Sequence, residues 1–221
     1  YRGRGQYDWA TPSSYTIPQE TDDVLRLLDE LQLDKVAVLG TSRGGLIAMT
    51  MAATAKDRLL GVALNDIGPE IAPSGLDVIK AYVGITPAQK TYKEAALFRS
   101  TAWTHFSDVP MDRWMAEVRN HYIETDDGLE LRYDPRLRDT VVSGLTQPVP
   151  DLWPVFDLFE GLPLALIRGQ NSDLLTQETA DEMSRRRPDM LRADVPGRGH
   201  VPFLDEREAL SVLHKWLEKM Q

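Results

Sequence analysis

The chain has 221 residues, no cysteine and a formal net charge of −9. The missing cysteine excludes a disulfide framework, a thiolate nucleophile and a cysteine metal site, and the acidic balance opposes non-specific attraction to nucleic acid or anionic membrane. A hydrophobic content of 42% and a charged content of 27% are those of a soluble globular protein, long enough to bury one good core. No apolar run approaches the roughly 20 residues that span a bilayer, and the start, YRGRGQYDWA, lacks the apolar segment of a secretory signal, so a cytoplasmic location is expected. The absent initiator methionine suggests a processed, truncated or incompletely represented chain.

From Thr16 to Leu33, Val24, Leu25, Leu28 and Leu31 recur at helical spacing behind Pro18 in a first turn, which predicts an amphipathic helix. Asp34 to Gly40 is a short β-branched apolar run without alternation, the pattern of a parallel strand buried on both faces. After the turn at Gly40-Thr41-Ser42-Arg43-Gly44, the stretch Leu46 to Ala53 is apolar nearly all round, which predicts a deep helix. Further strands are expected at Leu60 to Asn65, Leu162 to Arg168 and Leu191 to Val195, and helices at Gln177 to Arg186 and Arg207 to Met220. Strands alternating with helices predict an α/β fold with a doubly wound, mostly parallel sheet, whose ligand sites lie at the carboxyl ends of the strands. Between about Gly68 and Asp157 the alternation stops. Helical patterns there carry Tyr82, Tyr92, Phe98, Trp103, Phe106, Trp114 and Tyr122, and Gln147-Pro148-Val149-Pro150 follows, so this region reads as an inserted helical cap.

Ser42 falls in a G-x-S-x-G pattern between a strand and a helix. A serine hydroxyl attacks poorly near neutral pH unless a base takes its proton and an acid orients that base. Of the four histidines, His214 lies in the last helix and His105 and His121 in the cap, whereas His200 follows the last strand in Pro196-Gly197-Arg198-Gly199-His200. The acid is expected at Asp173, in the loop after the strand Leu162 to Arg168, with Asp66, which ends an earlier strand, as the alternative. The order Ser42, Asp173, His200 is that of hydrolases built on a nucleophile elbow, and all three residues follow parallel strands.

On these residues the chain resembles the α/β-hydrolase superfamily, in its esterase-like branch with a helical cap. Arg2-Gly3-Arg4-Gly5 and the stretch Gly199 to Glu206 add to the likeness, which covers nearly the whole chain. The resemblance implies Ser42 as nucleophile, Asp173 as acid, His200 as base and the Arg43 backbone N–H as one oxyanion donor. It implies a core of residues 1–67 and 158–221 and a cap of residues 68–157. The family's second oxyanion donor, in a loop after its third strand, has no counterpart here, and the first strands are missing. An upstream segment of several tens of residues is therefore expected to belong to the native protein.

Other residues invite blander readings. The Arg43 side chain is expected in a salt bridge rather than on a substrate carboxylate, and the arginines 185–187 form a solvated helix end. Glu124 to Glu130, with Asp126-Asp127-Gly128, reads as a turn rather than a calcium loop, because the EF-hand spacing is lacking. The expected activity is a carboxylesterase-like serine hydrolase acting on a small ester-like molecule through an acyl-enzyme, without metal or organic cofactor. A carbon–carbon bond hydrolase or perhydrolase on the same triad, and a non-catalytic ligand-binding protein on the same scaffold, are the alternatives. Neither nucleic acid nor a membrane is expected as a partner, and association into a homo-oligomer stays open.

Overall fold

The structure is a computed structural model, and it describes residues 1–144 and 150–221. Residues 147–149 of the proline-containing stretch lie outside the described residues. In chain order the elements are α1 (Ile17–Glu30), β1 (Val36–Thr41), α2 (Arg43–Thr54), β2 (Leu59–Asn65), α3 (Pro73–Tyr82), α4 (Tyr92–Ala102) and α5 (Met111–His121). There follow β3 (Tyr122–Thr125), β4 (Gly128–Leu131), α6 (Leu137–Gly144), α7 (Trp153–Asp157), β5 (Leu164–Gly169), α8 (Gln177–Arg186), β6 (Leu191–Val195) and α9 (Arg207–Glu218). Among the described residues, no helix is long and apolar enough to cross a membrane.

Two compact units divide the chain, one of Tyr1–Thr16 with Asp77–Pro148 and one of Ile17–Leu76 with Val149–Gln221. These boundaries differ from the expected 1–67, 68–157 and 158–221, most of all at the start of the chain. Residues 1–16 belong to the helical unit because Tyr15 is fully buried in its core with Val83, Tyr133 and Leu137. The Tyr15 hydroxyl donates to Asp134 Oδ2 at 2.6 Å and accepts from the Ala10 N–H at 2.9 Å. Burial works against the Asp134 charge, yet bonds from Arg136 and Tyr15 outweigh it and hold the carboxyl below its ordinary pKa. In the same unit Trp103 packs on Tyr82, Phe106 and Trp114, so the aromatic richness of the sequence is packing within this unit. β3 and β4 form an antiparallel hairpin across Asp126-Asp127, which makes this acidic stretch a two-residue turn.

The other unit is an α/β sandwich around a parallel sheet in the order β1-β2-β5-β6. Every residue of β5 is buried, and β2 is buried except at Leu60, as expected of central strands covered on both faces. Ala63 faces the cluster that holds Ala209, Val212 and Trp216 of α9, while the next residue, Leu64, lies beside Gly45 of α2. Successive strand side chains point to opposite faces, so α2 and α9 cover the two sides of the sheet. β1 stands at the edge of this sheet, with Leu39 44% exposed.

Gly45 and Gly44 make a sharp test of this packing. A Cβ on Gly45 would collide with Ile67 Cγ2 and lie 3.1 Å from Leu64 Cδ2, whereas a Cβ on Gly44 meets nothing within 4 Å. Gly45→Ala is expected to lower stability by about 1–3 kcal/mol through overpacking. Gly44→Ala should leave the melting temperature unchanged or raise it, since alanine is the better helix former by up to about 1 kcal/mol. In the helical unit, Tyr15→Phe removes one donor from a buried carboxylate and should cost about 1–3 kcal/mol in a denaturant titration.

Candidate active site

β1 ends at Thr41 and α2 begins at Arg43, so Ser42 alone turns the chain from strand to helix. It does so at φ 49° and ψ −117°, in the positive-φ region that a residue with a Cβ avoids at a cost of about 1–3 kcal/mol. The turn is held by Ser42 N–H donating to the Asn65 carbonyl at 3.0 Å and Gly45 N–H donating to the Ser42 carbonyl at 2.8 Å. Gly40 is required by close approach, since a Cβ there would lie 2.6 Å from the Gly44 carbonyl oxygen. The serine of the motif is thereby presented at the carboxyl end of the sheet, ahead of the first turn of a helix.

His200 lies in the loop between β6 and α9. Its Nε2 is 2.9 Å from Ser42 Oγ and its Nδ1 is 2.8 Å from Asp66 Oδ2. A carboxylate only accepts, so Nδ1 carries the proton and Nε2 is left as the acceptor facing the serine hydroxyl. The acid in contact with the imidazole is therefore Asp66, and the expectation for Asp173 is corrected. Asp66 follows β2 directly, is 0% exposed, and has its backbone N–H bonded to the Ile167 carbonyl at 2.7 Å. A buried carboxylate is costly unless its oxygens are satisfied. Here Gly169 N–H donates to Oδ1 at 2.7 Å, and the Ser172 hydroxyl and His200 both donate to Oδ2.

Asp173 sits one residue past this support. Its backbone carbonyl accepts from Ser74 Oγ at 2.9 Å, and its carboxylate makes no hydrogen bond or ion pair with a described residue. The end of β5 and the loop after it thus serve the site through the Gly169 N–H and Ser172 rather than through Asp173. The sequence held one signal for this. Gly169 is a glycine because a Cβ would strike the carbonyl oxygens of Gly199 and Arg198 in the histidine loop, which packs at that point.

Arg43 is in the salt bridge the sequence suggested. Its Nε and Nη2 bind the two oxygens of Glu20 in α1 at 2.7 and 3.0 Å, with Glu20 0% exposed. Glu20 was not singled out in the sequence, where a lone acid in the first turn of a helix looks like a surface residue. Asn65 is a second missed residue: its Nδ2 donates to Thr41 Oγ1 and to the Pro202 carbonyl, both at 3.1 Å, tying the serine strand to the histidine loop. Of the arginines 185–187, the first two pair with Glu182, but Arg187 is buried and bonds to the Phe159 and Leu162 carbonyls and to Asp189. Among the described residues, no group of three or more His, Asp or Glu side chains is arranged to hold a metal ion.

Known proteins share this framework. The sequence pattern of the alpha/beta hydrolase family matches residues 1–211. A 3-hydroxybutyrate-oligomer hydrolase of Cupriavidus necator is 35% identical over 213 residues, which span 92% of this chain and 72% of that protein. A 2-(acetamidomethylene)succinate hydrolase of Mesorhizobium japonicum is 25% identical over 200 residues, 90% of this chain and 69% of that protein. The crystal structure of an alpha/beta hydrolase from Novosphingobium aromaticivorans superimposes with a TM-score of 0.89 at 32% identity, covering 99% of this chain and 78% of that one. With nearly its whole length matched and the parallel sheet in place, the chain belongs to the alpha/beta hydrolase family.

Proposed function

We propose that the protein is a serine hydrolase that cleaves an ester bond in a small molecule through an acyl-enzyme, with Ser42 as nucleophile, His200 as base and Asp66 as acid. The observation that supports this most directly is the imidazole of His200 bridging Ser42 Oγ and Asp66 Oδ2 at 2.9 and 2.8 Å. Both distances lie within the reach that proton transfer requires. His200 Nε2 takes the hydroxyl proton as Ser42 Oγ attacks the carbonyl carbon, and Asp66 holds the imidazole tautomer and stabilises the imidazolium. The tetrahedral oxyanion is met by the Arg43 backbone N–H, which lies in the first turn of α2 directly after Ser42. Collapse expels the alcohol, protonated by His200. Water then attacks the acyl carbon, with His200 again as base and Ser42 as leaving group.

The substrate is proposed to carry a carboxylate besides its ester. By their names, the two related hydrolases act on an oligomer of hydroxybutyrate and on a substituted succinate, both carboxylates. None of the steps draws on a metal or an organic cofactor.

A fluorophosphonate probe tests the nucleophile on the whole chain. Labelling should be lost in Ser42→Ala, and absence of labelling in the unsubstituted protein would favour a ligand-binding role on this scaffold. The acid is tested by a pair of variants. Asp66→Asn is expected to lower kcat on p-nitrophenyl butyrate by about 10²–10⁴-fold by forcing the wrong imidazole tautomer. Asp173→Asn should stay within about threefold. The reverse order of effects would return the acid role to Asp173.

A further inference from the structure

Two guanidinium groups of the helical unit, those of Arg4 and Arg99, have neither a carboxylate nor a backbone carbonyl as partner among the described residues. Arg99 of α4 is 4% exposed, and Arg4 has its Nε sealed from solvent with no acceptor. Neither pairs with a carboxylate among the described residues, and the sequence of residues 145–149, LTQPV, holds none. What surrounds them is aromatic and neutral. Arg99 stacks on Trp103 and Tyr122, with its guanidinium carbon 4.8 and 5.3 Å from the ring centres. Arg4 stacks on Tyr133 at 4.7 Å.

The hydrogen-bond inventory of Arg99 is shorter than it first looks. Its Nη2 donates to the Tyr122 hydroxyl at 3.2 Å, and its Nη1 lies 3.5 Å from His121 Nδ1. That ring nitrogen, however, is 2.8 Å from the Glu117 carbonyl, a contact only an N–H can make. Nδ1 is therefore a donor, and Nη1 faces a proton rather than a lone pair. Arg99 is left with one neutral acceptor for its five N–H groups.

The two arginines act on the same neighbourhood. The Arg4 backbone bridges Tyr133, and Arg132 N–H donates to the His121 carbonyl at 2.9 Å, so the segment bearing Arg4 and the end of α5 meet beside Tyr122. Burial, then the charge of Arg99, and to a smaller extent that of Arg4, push the His121 pKa down to about 4, which leaves the imidazole neutral near pH 7. A buried cation is ordinarily paired, because desolvation without a partner destabilises the fold by several kcal/mol. Arg99 is such a cation, and Arg4, half-buried with its Nε orphaned, acts on the same His121, so this neighbourhood lacks one thing: an anion of modest size with oxygens for several N–H donors.

We infer that Arg4 and Arg99 form a carboxylate-binding site in the helical unit. Guanidinium groups suit the role because their planar N–H forks match a carboxylate's two oxygens, and the apolar faces of Trp103, Tyr122 and Tyr133 keep water from competing.

Butyrate and butyramide, equal in size and differing in charge, test the site by calorimetric titration of the whole chain at pH 7.5 and fixed ionic strength. Butyrate is expected to bind at least tenfold more tightly than butyramide. Arg4→Gln and Arg99→Gln should each reduce that preference at least fivefold. Equal binding of the two compounds, or a preference intact in both variants, overturns the proposal. Thermal melts guard against misreading a packing defect. If Arg99 is kept for a ligand, Arg99→Met holds or raises the melting temperature without butyrate and loses the rise that butyrate gives the unsubstituted protein. A clear fall in melting temperature with the butyrate preference unchanged would assign Arg99 to packing and sink the site. Neither compound is an ester, so these outcomes are independent of whether Ser42 is labelled by fluorophosphonate.

Discussion

A carboxylate with no exposed surface stands at the end of β2, and the geometry of the candidate site follows from the need to satisfy it. Asp66 cannot bond water, so its oxygens are met by the Gly169 N–H, the Ser172 hydroxyl and His200 Nδ1–H. Those donors come from the last residue of β5, the loop after it and the loop after β6. The requirement to pair one charge thereby gathers both loops on the same rim. It also settles the orientation of His200, whose other nitrogen is left facing Ser42.

The opposite rim of the site is set by backbone sterics rather than charge. The passage from β1 to α2 in a single residue forces Ser42 to a positive φ and brings the Gly40 and Gly44 backbones close together. Such a turn persists only where the surroundings over-determine it. Asn65 contributes from both directions, since its carbonyl accepts the Ser42 N–H and its amide holds Thr41 and Pro202. The pair of buried Glu20 with half-buried Arg43 fixes the first residue of α2 to α1. A strained backbone on one side and a fully bonded carboxylate on the other leave the imidazole little freedom between them.

The helical unit shows the opposite economy. Its core is aromatic, and Asp134 is satisfied from two sides by Tyr15 and Arg136. Arg4 and Arg99 are left with rings and a hydroxyl where a carboxylate would ordinarily be. Within one unit, then, some charges are paired with charges, while buried Arg99 is met by rings and one hydroxyl. That contrast is the ground of the proposed carboxylate site.

The strands and helices of the sheet-bearing unit were legible in the sequence, because hydrophobic runs of strand length alternate with helical periodicity and Leu191–Val195 and Gln177–Arg186 fall at their expected bounds. Ser42 and His200 were legible too, each standing in a glycine-rich turn just after a buried strand. The choice between Asp66 and Asp173 was not. Both follow strands, and local pattern treats them alike. The difference lies in parallel pairing, which sets Asn65 opposite Ile167 and so lays the loop after β5 over the end of β2. The membership of residues 1–16 in the helical unit and the burial of Glu20 were likewise decided in three dimensions. Sequence fixes what depends on neighbours a few residues away, the period of a strand or helix and the sharpness of a turn. Which charge meets which donor depends on register and packing between segments more than a hundred residues apart, as with Ser172 and Asp66, and only the folded chain determines it.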